Sequence, residues 1–537
     1  MTPDLHFLGT ARDGAELPGP QAIGFKAWNL ARMAALGLRI PPAFVLGTRH
    51  CAEAAAGPRL PEPLRAALPG ALAELEAATG RRFGDPARPL LVSVRSGAPV
   101  SMPGMMDTLL DIGLCDATLP GLLRLTGNPR LAWDSLRRLV ASHAEVVGGC
   151  DPAPFEAAVR ELAPDGDERR LDWAGMRALA LRNLALARAA GAPLPAAPLD
   201  QLEAAIAAVY ASWRSPRAVG YRRARGIDDA MGTAVIVQAM VFGNAGGASG
   251  AGVGFTRDPT RGAPGLWVDF LFNAQGEDVV SGRRSAHGHD ALAAGIPAVW
   301  RELEDGADRL ERGLGDMQDI EFTVEDGRLW WLQTRAGKRT PVAAARIALD
   351  LHAAGVIDAA EARRRVAGLD ARTLAVECLA QADGSAATPD ARAPSASSGV
   401  AVGAITLDAE AARRLAATGR AVVLVRHDAE TDDIAALETA AGLLTARGAR
   451  TSHAAVVARQ LGKVCLVGCD GLEIDPARRR LRLGDRTLAE GDDITLDGNS
   501  GAVYAGALAT RAEADAGLLA RLAALRAGEC ADSRPLA

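Results

Sequence analysis

The chain has 537 residues, of which 49% are hydrophobic and 23% are charged. This length predicts about three to four domains, and the composition excludes a disulfide mini-protein, a collagen-like fibre and a wholly disordered chain. The net charge of −5 excludes a chain that is basic overall and binds nucleic acid or membranes through its bulk charge.

In the first part of the chain, helical and apolar patterns alternate. Residues 22–50 predict a helix, a loop and a strand, and residues 61–82 predict an amphipathic helix. The run LLVSV at 90–94 predicts a buried strand, and residues 120–215 show helical spacing. From 233 to 340 the pattern predicts five strands, AVIVQAMVF, GVGFT, LWVDFLF, DIEFTV and LWWLQT.

Residues 341–380 return to a helical pattern. Residues 382–398 consist largely of Ala, Ser, Pro and Asp, which predicts a flexible linker and a domain boundary. Short apolar runs alternate with helical stretches from 399 to 508, which predicts a compact α/β domain. Residues 509–537 predict one helix and a frayed tail.

The cysteines and the N-terminus indicate a cellular compartment. Seven cysteines are scattered without a CxxC pair, which favours reduced thiols in the cytoplasm. The N-terminus has no basic region followed by an apolar run, so we expect no secretory signal. Since no window of about 18 residues is apolar and uncharged, we expect no membrane span. The sequence therefore predicts a cytoplasmic protein that binds neither membranes nor nucleic acid.

The most informative string is GARTSHAAVVARQLG at 448–462. Thr451 and Ser452 are N-cap residues, so His453 is predicted in the first turn of a helix. The positive end of the helix dipole there favours a neutral imidazole and attracts a negative group such as a phosphoryl group. A lone histidine is more often a surface residue that merely caps a helix, but the two-residue cap and the small residues that follow favour a functional one.

The string TSHAAVVARQLGKVCLVG resembles the phosphohistidine motif of the pyruvate, phosphate dikinase family. Further segments are similar to that family in the same order, and the resemblance extends to about residue 508. The form VRSGAPVSMPGMMDT favours the dikinase over the related water-using synthase. The other similar segments are NPRLAWDSLRR, SWRSPRAVGYRR, VQAMVFGNAGGASGAGVGFTRDP, NAQGEDVVSGRR and DMQDIEFTVEDGRLWWLQTRAGKRT.

The resemblance implies an α/β and α+β multidomain chain. It places an ATP-grasp nucleotide-binding domain at 1–340, a helical connector and flexible linker at 341–398, a swivelling phosphohistidine domain at 399–508 and a helical tail at 509–537. It also implies that ATP and inorganic phosphate, with Mg²⁺, phosphorylate His453 and release AMP and pyrophosphate. The phosphoryl group would then pass to pyruvate.

Two basic residues match phosphate-binding positions of the family. Lys26 lies in GFKAWNL, which resembles the family's GGKGANL, and supplies a point charge for a phosphate. Phe25 and Ala27 replace two glycines of that pattern. Arg95 follows a predicted buried strand and matches a phosphate-binding arginine, the alternative being a surface ion pair.

The adenine pocket and a glycine-rich segment follow. Gln238 and Met240 alternate along a predicted strand and match the segment that lines the adenine pocket. Residues 243–254, GNAGGASGAGVG, are predicted as a loop whose backbone N–H groups can cradle phosphates, although a plain hairpin is the more common meaning of such a string alone. Ala251 stands where the family usually has threonine, so the resemblance does not include the hydroxyl that would make one polar phosphate contact.

Paired carboxylates indicate a metal site. Asp319 and Glu321 are two residues apart on a predicted strand, so their side chains share a face and can hold a Mg²⁺ ion that bridges phosphates. Glu277 and Asp278, in QGED, match a further polar cluster near the phosphates. The string QGED alone is typical of a solvated turn.

Gln333 and Arg335 repeat the two-residue spacing on the next strand, so their partners depend on the turn. A three-residue loop ending at Arg328 places Glu321 opposite Gln333 and Asp319 opposite Arg335, whereas a two-residue loop places the pairs on opposite faces. Because the family's site needs them together, we expect the longer loop.

Other residues are interpreted more plainly. Cys465 and Cys469 have no neighbouring ligands in sequence, which favours buried thiols beside an apolar strand over a zinc site. His287 and His289 are expected at the surface. Thr451 matches a position at which some family members are regulated by phosphorylation, and a phosphate there would crowd His453 with negative charge.

The family also has a (β/α)₈ barrel that binds pyruvate and phosphoenolpyruvate. Too few residues follow 508 for a barrel of about 250 residues. We therefore expect the final acceptor to be pyruvate on a separately encoded barrel protein, or another molecule. The alternative is a non-catalytic ATP-binding module with a regulatory or interaction role.

Overall fold

A computed structural model describes residues 4–11, 18–57, 59–100, 102, 105–163, 168–280, 287–380, 388–428, 433–448, 450 and 452–528. The chain is a mixed α/β multidomain protein with several sheets. It divides into two compact units, the first comprising Met1–Gly247 with Val324–Thr334 and the second Ala248–Thr323 with Arg335–Ala537. Among the described residues, no helix combines the length and apolar character that crossing a membrane requires.

The first unit contains a sheet and a helical region. Its elements are β1 Leu5–Leu8, α1 Pro20–Ala35, β2 Ala43–Leu46, α2 Cys51–Ala54, α3 Glu62–Thr79, β3 Arg82–Phe83, β4 Pro89–Leu90, β5 Val92–Gly97, β6 Thr108–Ile112, α4 Leu119–Thr126, α5 Pro129–Val146, α6 Ala153–Leu162, α7 Trp173–Ala189, α8 Pro198–Ser212, α9 Pro216–Arg225 and β7 Ala234–Ala239. The predicted helix and strand within 22–50, the helix at 61–82 and the helical region 120–215 are confirmed.

The sheet of the first unit has the order β1-β2-β7-β5-β6, and each neighbouring pair is antiparallel. Every residue of the central strand β7 is buried, because β-branched side chains fill both faces of a covered strand. One apolar cluster joins this sheet to the helices that follow it. The register aligns Ser93 of β5 with Gln238 of β7. This alignment sets the relative positions of Arg95 and Gln238, the candidate binding residues on these strands.

The second unit holds two larger sheets and the elements between them. The elements are β8 Gly250–Arg257, β9 Pro264–Phe272, α10 Gly276–Val280, β10 His287–Gly288, α11 His289–Gly295, α12 Pro297–Leu314, β11 Gln318–Glu325, β12 Arg328–Ala336, α13 Pro341–Ala353, α14 Ala359–Arg365, β13 Val376–Leu379, β14 Ala391–Arg392, β15 Ser395–Ser397, β16 Val400–Thr406, α15 Ala409–Ala416, β17 Val422–Arg426, α16 Ile434–Leu437, β18 Gly442–Thr445, α17 His453–Gln460, β19 Val464–Leu466, β20 Leu472–Asp475, β21 Arg480–Leu483, β22 Arg486–Ala489, β23 Asp493–Asp497, β24 Ala502–Ala505, β25 Thr510–Glu513 and α18 Ala516–Ala527. The tip of the β11–β12 hairpin belongs to the first unit. The five strands predicted within 233–340 are present as β7, β8, β9, β11 and β12.

The eight-stranded sheet has the order β14-β24-β23-β16-β17-β18-β19-β15. Strands β16 to β19 run parallel in its centre, and antiparallel strands flank them. Val423 and Val425 of β17 pack into one apolar cluster, while Val422 and Leu424 pack into another on the opposite face. This two-sided burial explains the continuous apolar run in the sequence.

The flexible linker predicted at 382–398 is wrong for residues 391–397. These residues form β14 and β15, which pair with β24 and β19 at the two edges of the eight-stranded sheet. Their small side chains fit a crowded edge, since Ala396 is fully buried. Residues 382–387 of the predicted linker lie outside the described residues.

The segments before and after the eight-stranded sheet pack together. Strand β13 pairs with β25, and Ala380 N–H donates a hydrogen bond to Ala509 O over 2.9 Å. Helix α18 shares an apolar cluster with α13 and α14. The tail therefore contains the predicted helix and also a strand, while residues 529–537 lie outside the described part of the chain.

Candidate functional site

Lys26 lies on α1 beside the end of β5. Within α1, Gly24 has a φ of 78° and a ψ of 156°, which interrupts the helix. A Cβ at this position would lie 1.8 Å from Gly97 O, so the close approach requires glycine. Phe25 N–H donates to Ala98 O over 2.9 Å. In this chain, Gly24 thus allows the close approach of α1 to the end of β5, and Phe25 does not prevent it.

Arg95 and Gln238 meet across neighbouring strands β5 and β7. The Arg95 guanidinium donates a long hydrogen bond, 3.5 Å, to Gln238 Oε1, and Gln238 Nε2 donates to Pro41 O over 3.0 Å. Met240, directly after β7, is buried and donates its backbone N–H to Leu91 O over 2.9 Å. The structure therefore brings Arg95, Gln238 and Met240 into one part of the first sheet.

Asp319 and Arg335 form an ion pair across the β11–β12 hairpin, with 2.7 Å between Oδ2 and Nε. The expected three-residue loop is nevertheless wrong. Strand β11 ends at Glu325 and β12 begins at Arg328, and both residues of the turn 326–327 have positive φ. A two-residue turn of this kind fits the twist of the flanking strands.

A shift of one residue within the hairpin reconciles the short turn with the ion pair. Continuing the alignment of the turn would place Asp319 opposite Thr334. Gly337 N–H, however, donates to Met317 O over 2.9 Å, and this bond belongs to the alignment that places Asp319 opposite Arg335. The strands therefore change register before this point, which a reading of the turn alone does not reveal.

The charges on this hairpin are coupled. Burial raises the pKa of the Asp319 carboxyl, the Arg335 guanidinium opposes that rise, and the negative charge of Glu321 adds to it. Burial acts to lower the pKa of Arg335, but the carboxylates of Asp319 and Glu321 raise it overall. Gln333 is half-buried on β12. In this part of the hairpin, the carboxylates of Asp319 and Glu321 thus repel each other, and the guanidinium of Arg335 offsets their charge.

Asp319 and Glu321 fit a Mg²⁺ ion that is bound by protein carboxylates and phosphate oxygens together. Mg²⁺ usually takes one or two carboxylates and completes its shell with water and substrate phosphate oxygens. A cation beside Asp319 would also relieve its repulsion with Glu321. Within the described residues, no group of three or more His, Cys, Asp or Glu side chains is arranged to hold a metal by itself. The two carboxylates therefore suit a metal that completes its shell with oxygen atoms from other molecules.

The QGED segment begins α10. Asp278 Oδ2 accepts a hydrogen bond from Gln275 N–H at 3.0 Å, and Asp278 N–H donates to Gln275 O at 3.0 Å. One carboxylate oxygen therefore stabilises the turn, as the simpler interpretation of QGED expects. Glu277 lies in the same helix, and its side chain is outside the described part of the structure.

The glycine-rich segment predicted as a loop over 243–254 is a strand from Gly250 onward. A Cβ at position 250 would lie 2.2 Å from Phe270 Cζ, and one on Gly252 would lie 2.3 Å from Phe322 Cζ. The two aromatic rings stack with 6.0 Å between their centres. Packing against these rings therefore accounts for the alternate glycines, and only the part before the strand remains a loop.

Ala251 lies on the opposite face of β8 from these glycines and is fully buried. Its methyl group belongs to an apolar cluster with Val253, Leu271, Ala274 and Val279. In this chain, a threonine hydroxyl at position 251 would therefore meet apolar side chains. The replacement is consistent with its surroundings.

His453 is the first residue of α17. Ser452 Oγ accepts a hydrogen bond from Ala455 N–H at 3.4 Å, which makes Ser452 the N-cap. The predicted helix start is confirmed, and the aligned peptide dipoles of the helix give this end its positive character. Thr451 lies outside the described residues, as does the side chain of His453.

The sequence patterns did not single out two arginines on either side of His453. The Arg450 guanidinium lies 4.3 Å from the centre of the Trp267 ring, and its Nε donates to Asp269 Oδ1 over 3.3 Å. The Arg459 guanidinium lies 5.3 Å from the same ring. Both side chains thus pack against β9. The presence of Arg459 in the TSHAAVVAR string was the signal that could have identified it.

The interpretation of Cys465 and Cys469 as buried thiols is confirmed. Both are at most 1% exposed, on and just after β19. Burial raises the pKa of the Cys465 thiol to about 12 and that of Cys469 to about 11, so both are protonated at neutral pH. The side chains of His287 and His289 lie outside the described part of the structure.

Comparison with known proteins adds to this geometry. Residues 56–289 match the family model described as the AMP/ATP-binding domain of pyruvate phosphate dikinase, and residues 419–501 match the mobile domain of PEP-utilising enzymes. The chain is 40% identical over 506 residues to pyruvate, phosphate dikinase of Clostridium symbiosum, an alignment that covers 93% of this chain and 58% of that protein. The chain belongs to the pyruvate, phosphate dikinase family.

Other members of the dikinase family are similar to the same extent. The Rhizobium meliloti (strain 1021) enzyme is 42% identical over 507 residues, covering 90% of this chain and 56% of the relative. Pyruvate, phosphate dikinase 1, chloroplastic, of Arabidopsis thaliana is 41% identical over 489 residues, covering 90% of this chain and 51% of the relative. The chain thus spans little more than half the length of these relatives.

Proposed function

We propose that this chain catalyses the nucleotide-dependent half of a dikinase reaction. The β-phosphoryl group of ATP passes to a ring nitrogen of His453, which gives up its proton to solvent, and AMP leaves. The γ-phosphoryl group passes to inorganic phosphate, and pyrophosphate leaves. The observation that carries the proposal is the capped start of α17, which places His453 at the positive end of a helix within the segment that matches the mobile-domain model. A phosphoryl group on the ring is stabilised by that end.

The proposed architecture follows the family. Residues 1–340 act as the ATP-grasp domain, residues 341–398 as the connector and residues 399–508 as the swivelling phosphohistidine domain, followed by the tail at 509–537. The five-stranded and eight-stranded sheets support this assignment. The capped helix α17 follows a parallel strand of the latter sheet, so His453 stands near the strand ends where α/β folds usually place their sites.

The first unit would bind the nucleotide. Lys26 and Arg95 carry positive charge near the end of β5 and suit phosphate oxygens. Gln238 and Met240 would contact the adenine, Gln238 by hydrogen bonds and Met240 by its thioether surface. The bond between Arg95 and Gln238 supports this assignment, because it brings the proposed phosphate-binding and adenine-binding side chains next to each other on neighbouring strands.

The carboxylates of the hairpin would hold Mg²⁺. Asp319 and Glu321 are the proposed ligands, and the ion would offset negative charge on the phosphates while the phosphoryl group moves. Arg335 holds Asp319 in place through their ion pair. Gln333, Glu277 and Asp278 are further proposed contacts near the phosphates.

The acceptor and the compartment are part of the same proposal. We assign pyruvate, bound by a separately encoded barrel protein, or another small acceptor as the destination of the phosphoryl group. The family resemblance supports this acceptor class. We place the reaction in the cytoplasm, where thiols stay reduced, and the six cysteines among the described residues are free.

The proposal is tested by incubating the purified chain with Mg²⁺, phosphate and ATP labelled with ³²P in its β-phosphate, then locating acid-labile label by mass spectrometry. We expect label on His453, and none in His453→Asn with ATP binding nearly unchanged. His352→Asn, on α13, is the matched histidine control and should label normally. Label that persists in the His453 variant would overturn the assignment.

A second assay, isotope exchange into ATP, separates catalysis from the non-catalytic alternative. Exchange of labelled AMP or pyrophosphate into ATP needs only the steps proposed here, so the chain alone should support it. The chain alone should not form phosphoenolpyruvate from pyruvate. Bound ATP with neither labelling nor exchange would favour a regulatory or interaction module.

A further inference from the structure

The guanidinium of Arg459 is buried beneath the helix that carries His453. Arg459 is 2% exposed. Its Nε donates to Ala396 O over 2.8 Å, and one terminal nitrogen, Nη2, donates to Arg450 O over 3.2 Å. The charged group lies 5.3 Å from the centres of both the Phe255 and Trp267 rings. One side chain thus joins α17, the edge strand β15, the peptide of Arg450 and the aromatic surface of β8 and β9.

This burial is not an efficient way to stabilise a fold. The second terminal nitrogen, Nη1, is buried and has no hydrogen-bond partner among the described residues, and an unsatisfied buried donor is costly. Burial lowers the pKa of the guanidinium to about 10, and the charges of Asp319, Asp258 and Asp269 oppose that shift. The group therefore remains charged at neutral pH, in a place where an apolar side chain would pack with less penalty.

Helix geometry indicates that Arg459 acts indirectly. Six residues separate it from His453, which corresponds to about 9 Å along the axis and about 240° around it. Positions 453 and 459 therefore lie on different faces of an ideal helix. The bond from Nη2 instead reaches the carbonyl of Arg450, three residues before His453, and so fixes the peptide that leads into the helix.

The side chain of Arg450 completes the connection to the second sheet. Its Nη2 donates to Val268 O over 3.3 Å, its Nε donates to Asp269, and it stacks on Trp267. Arg459 therefore holds the main chain of a residue whose side chain binds β9. Lysine cannot replace it, because one ammonium cannot direct two donors to Ala396 O and Arg450 O with the geometry of a planar guanidinium.

We propose that Arg459 is a positioning residue that fixes the peptide of Arg450 and thereby sets the position of His453 when α17 lies against β9. This inference rests on the proposed phosphorylation of His453. Loss of Arg459 would leave ATP binding intact and reduce the fraction of encounters in which the imidazole is aligned for attack, and misplacement by about 1 Å can slow a reaction about 100-fold.

The kinetic test compares Arg459→Lys and Arg459→Met with the wild-type chain. At saturating ATP, both variants should label His453 about 10- to 100-fold more slowly, with the KM for ATP unchanged. Arg420→Met is the matched control, because Arg420 bonds to Gly491 O and Asp493 in the same sheet region, and it should label at the wild-type rate. Wild-type labelling by both Arg459 variants would overturn the inference, as would full rescue by lysine.

A second readout does not depend on activity. Hydrogen exchange of the peptide that contains Arg450 should be faster in Arg459→Met than in the wild type, and unchanged in Arg420→Met. If the wild-type chain does not label at all but hydrogen exchange increases in Arg459→Met, the proposed function fails. The role of Arg459 in fixing the Arg450 peptide is then still supported. If the wild type labels and neither labelling nor exchange changes in the variants, the proposed function stands and the role of Arg459 is refuted.

Discussion

Asp319 and Arg335 are neighbours across a hairpin whose turn, by its length alone, would align Asp319 with Thr334. The ion pair at 2.7 Å and the bond from Gly337 N–H to Met317 O locate a register shift within the strands. The shift brings a guanidinium to a buried carboxylate. The stability of the hairpin and the geometry of its proposed metal site therefore depend on the same pair.

Arg335→Gln should destabilise the second unit. It leaves the carboxylate of Asp319, which is 8% exposed, without its charged donor, and we expect a loss of about 1–3 kcal/mol. Denaturant unfolding of the variant measures the loss. The double variant Asp319→Asn/Arg335→Gln should recover part of it, because no uncompensated charge remains buried. An unchanged unfolding midpoint for the single variant would contradict this account.

Glu321→Gln should impair metal-dependent turnover. A neutral amide is a poorer ligand for a hard cation, so we expect turnover at saturating nucleotide to fall by about tenfold or more, with metal-free nucleotide affinity nearly unchanged. Isothermal titration and the labelling assay measure the two quantities. Glu304→Gln, on the exposed face of α12, is the control. Equal losses of affinity and turnover would mean that Glu321 contacts the nucleotide directly or is structural.

Gly252→Ala should destabilise β8, because its Cβ would lie 2.3 Å from Phe322 Cζ. Overpacking of this kind typically costs about 1–3 kcal/mol. Gly246→Ala is the matched control, since a Cβ there meets no atom within 4 Å, and its stability should stay within about 0.5 kcal/mol of wild type. Thermal unfolding distinguishes them. Comparable stability of the two variants would show that packing does not require glycine at position 252, and a phosphate-binding role would again have to be considered.

Acid should destabilise the first unit through His143. This residue is 4% exposed, both ring nitrogens lack a hydrogen-bond partner among the described residues, and burial lowers its pKa below the ordinary 6.5. The unfolded chain therefore binds the proton more readily. The stability that this neutral ring contributes is fully present above about pH 6.5 and falls as the pH drops below it, by at most about 1.4 kcal/mol per pH unit.

His143→Leu removes this titration. Its unfolding free energy should vary less than that of the wild type between about pH 7 and about pH 5. Urea titrations at several pH values measure the difference. His352→Leu, on α13, should keep the wild-type pH dependence of the first unit. A His143 variant whose acid sensitivity equals that of the wild type would show that other groups dominate.

Deleting residues 382–387 should slow labelling of His453 without weakening ATP binding. The proposed reaction requires the phosphohistidine domain to approach the nucleotide, and a shorter connection restricts that approach. Replacing the same residues by six Gly and Ser residues preserves length and should label normally. Deletions must stop before β14, because residues 391–397 belong to the eight-stranded sheet. Unchanged labelling after deletion would show that this connection does not limit the reaction.

Local patterns predicted most elements of the fold. A helix or strand that buries one or both of its faces leaves a characteristic apolar pattern in the sequence. The run AVVLVR predicted a strand because both of its faces are covered. The sequence around Ala396 predicts a linker because it lacks an apolar pattern. It has few large apolar side chains, yet small residues can occupy a crowded edge once the strands β19 and β24 supply their hydrogen bonds.

The site was predicted less completely, because its geometry depends on distant partners. Ser452 and His453 follow from a local cap signal, which the structure reproduces. The glycines of β8 looked like a phosphate loop because the rings that require them, Phe270 and Phe322, lie elsewhere in the sequence. Arg459 was missed because its importance depends on carbonyls and aromatic rings that only the folded chain assembles.

The pairing of β13 with β25 has a consequence for engineering. Ala380 N–H donates a hydrogen bond to Ala509 O, so the two ends of the segment between these residues lie next to each other. Adjacent ends are typical of a domain that is inserted into another. Adjacent ends are the condition under which a module can be excised or circularly permuted. Residues 388–508 should therefore fold when they are expressed alone. The rest of the chain should be obtainable without this module by joining residue 380 directly to residue 509.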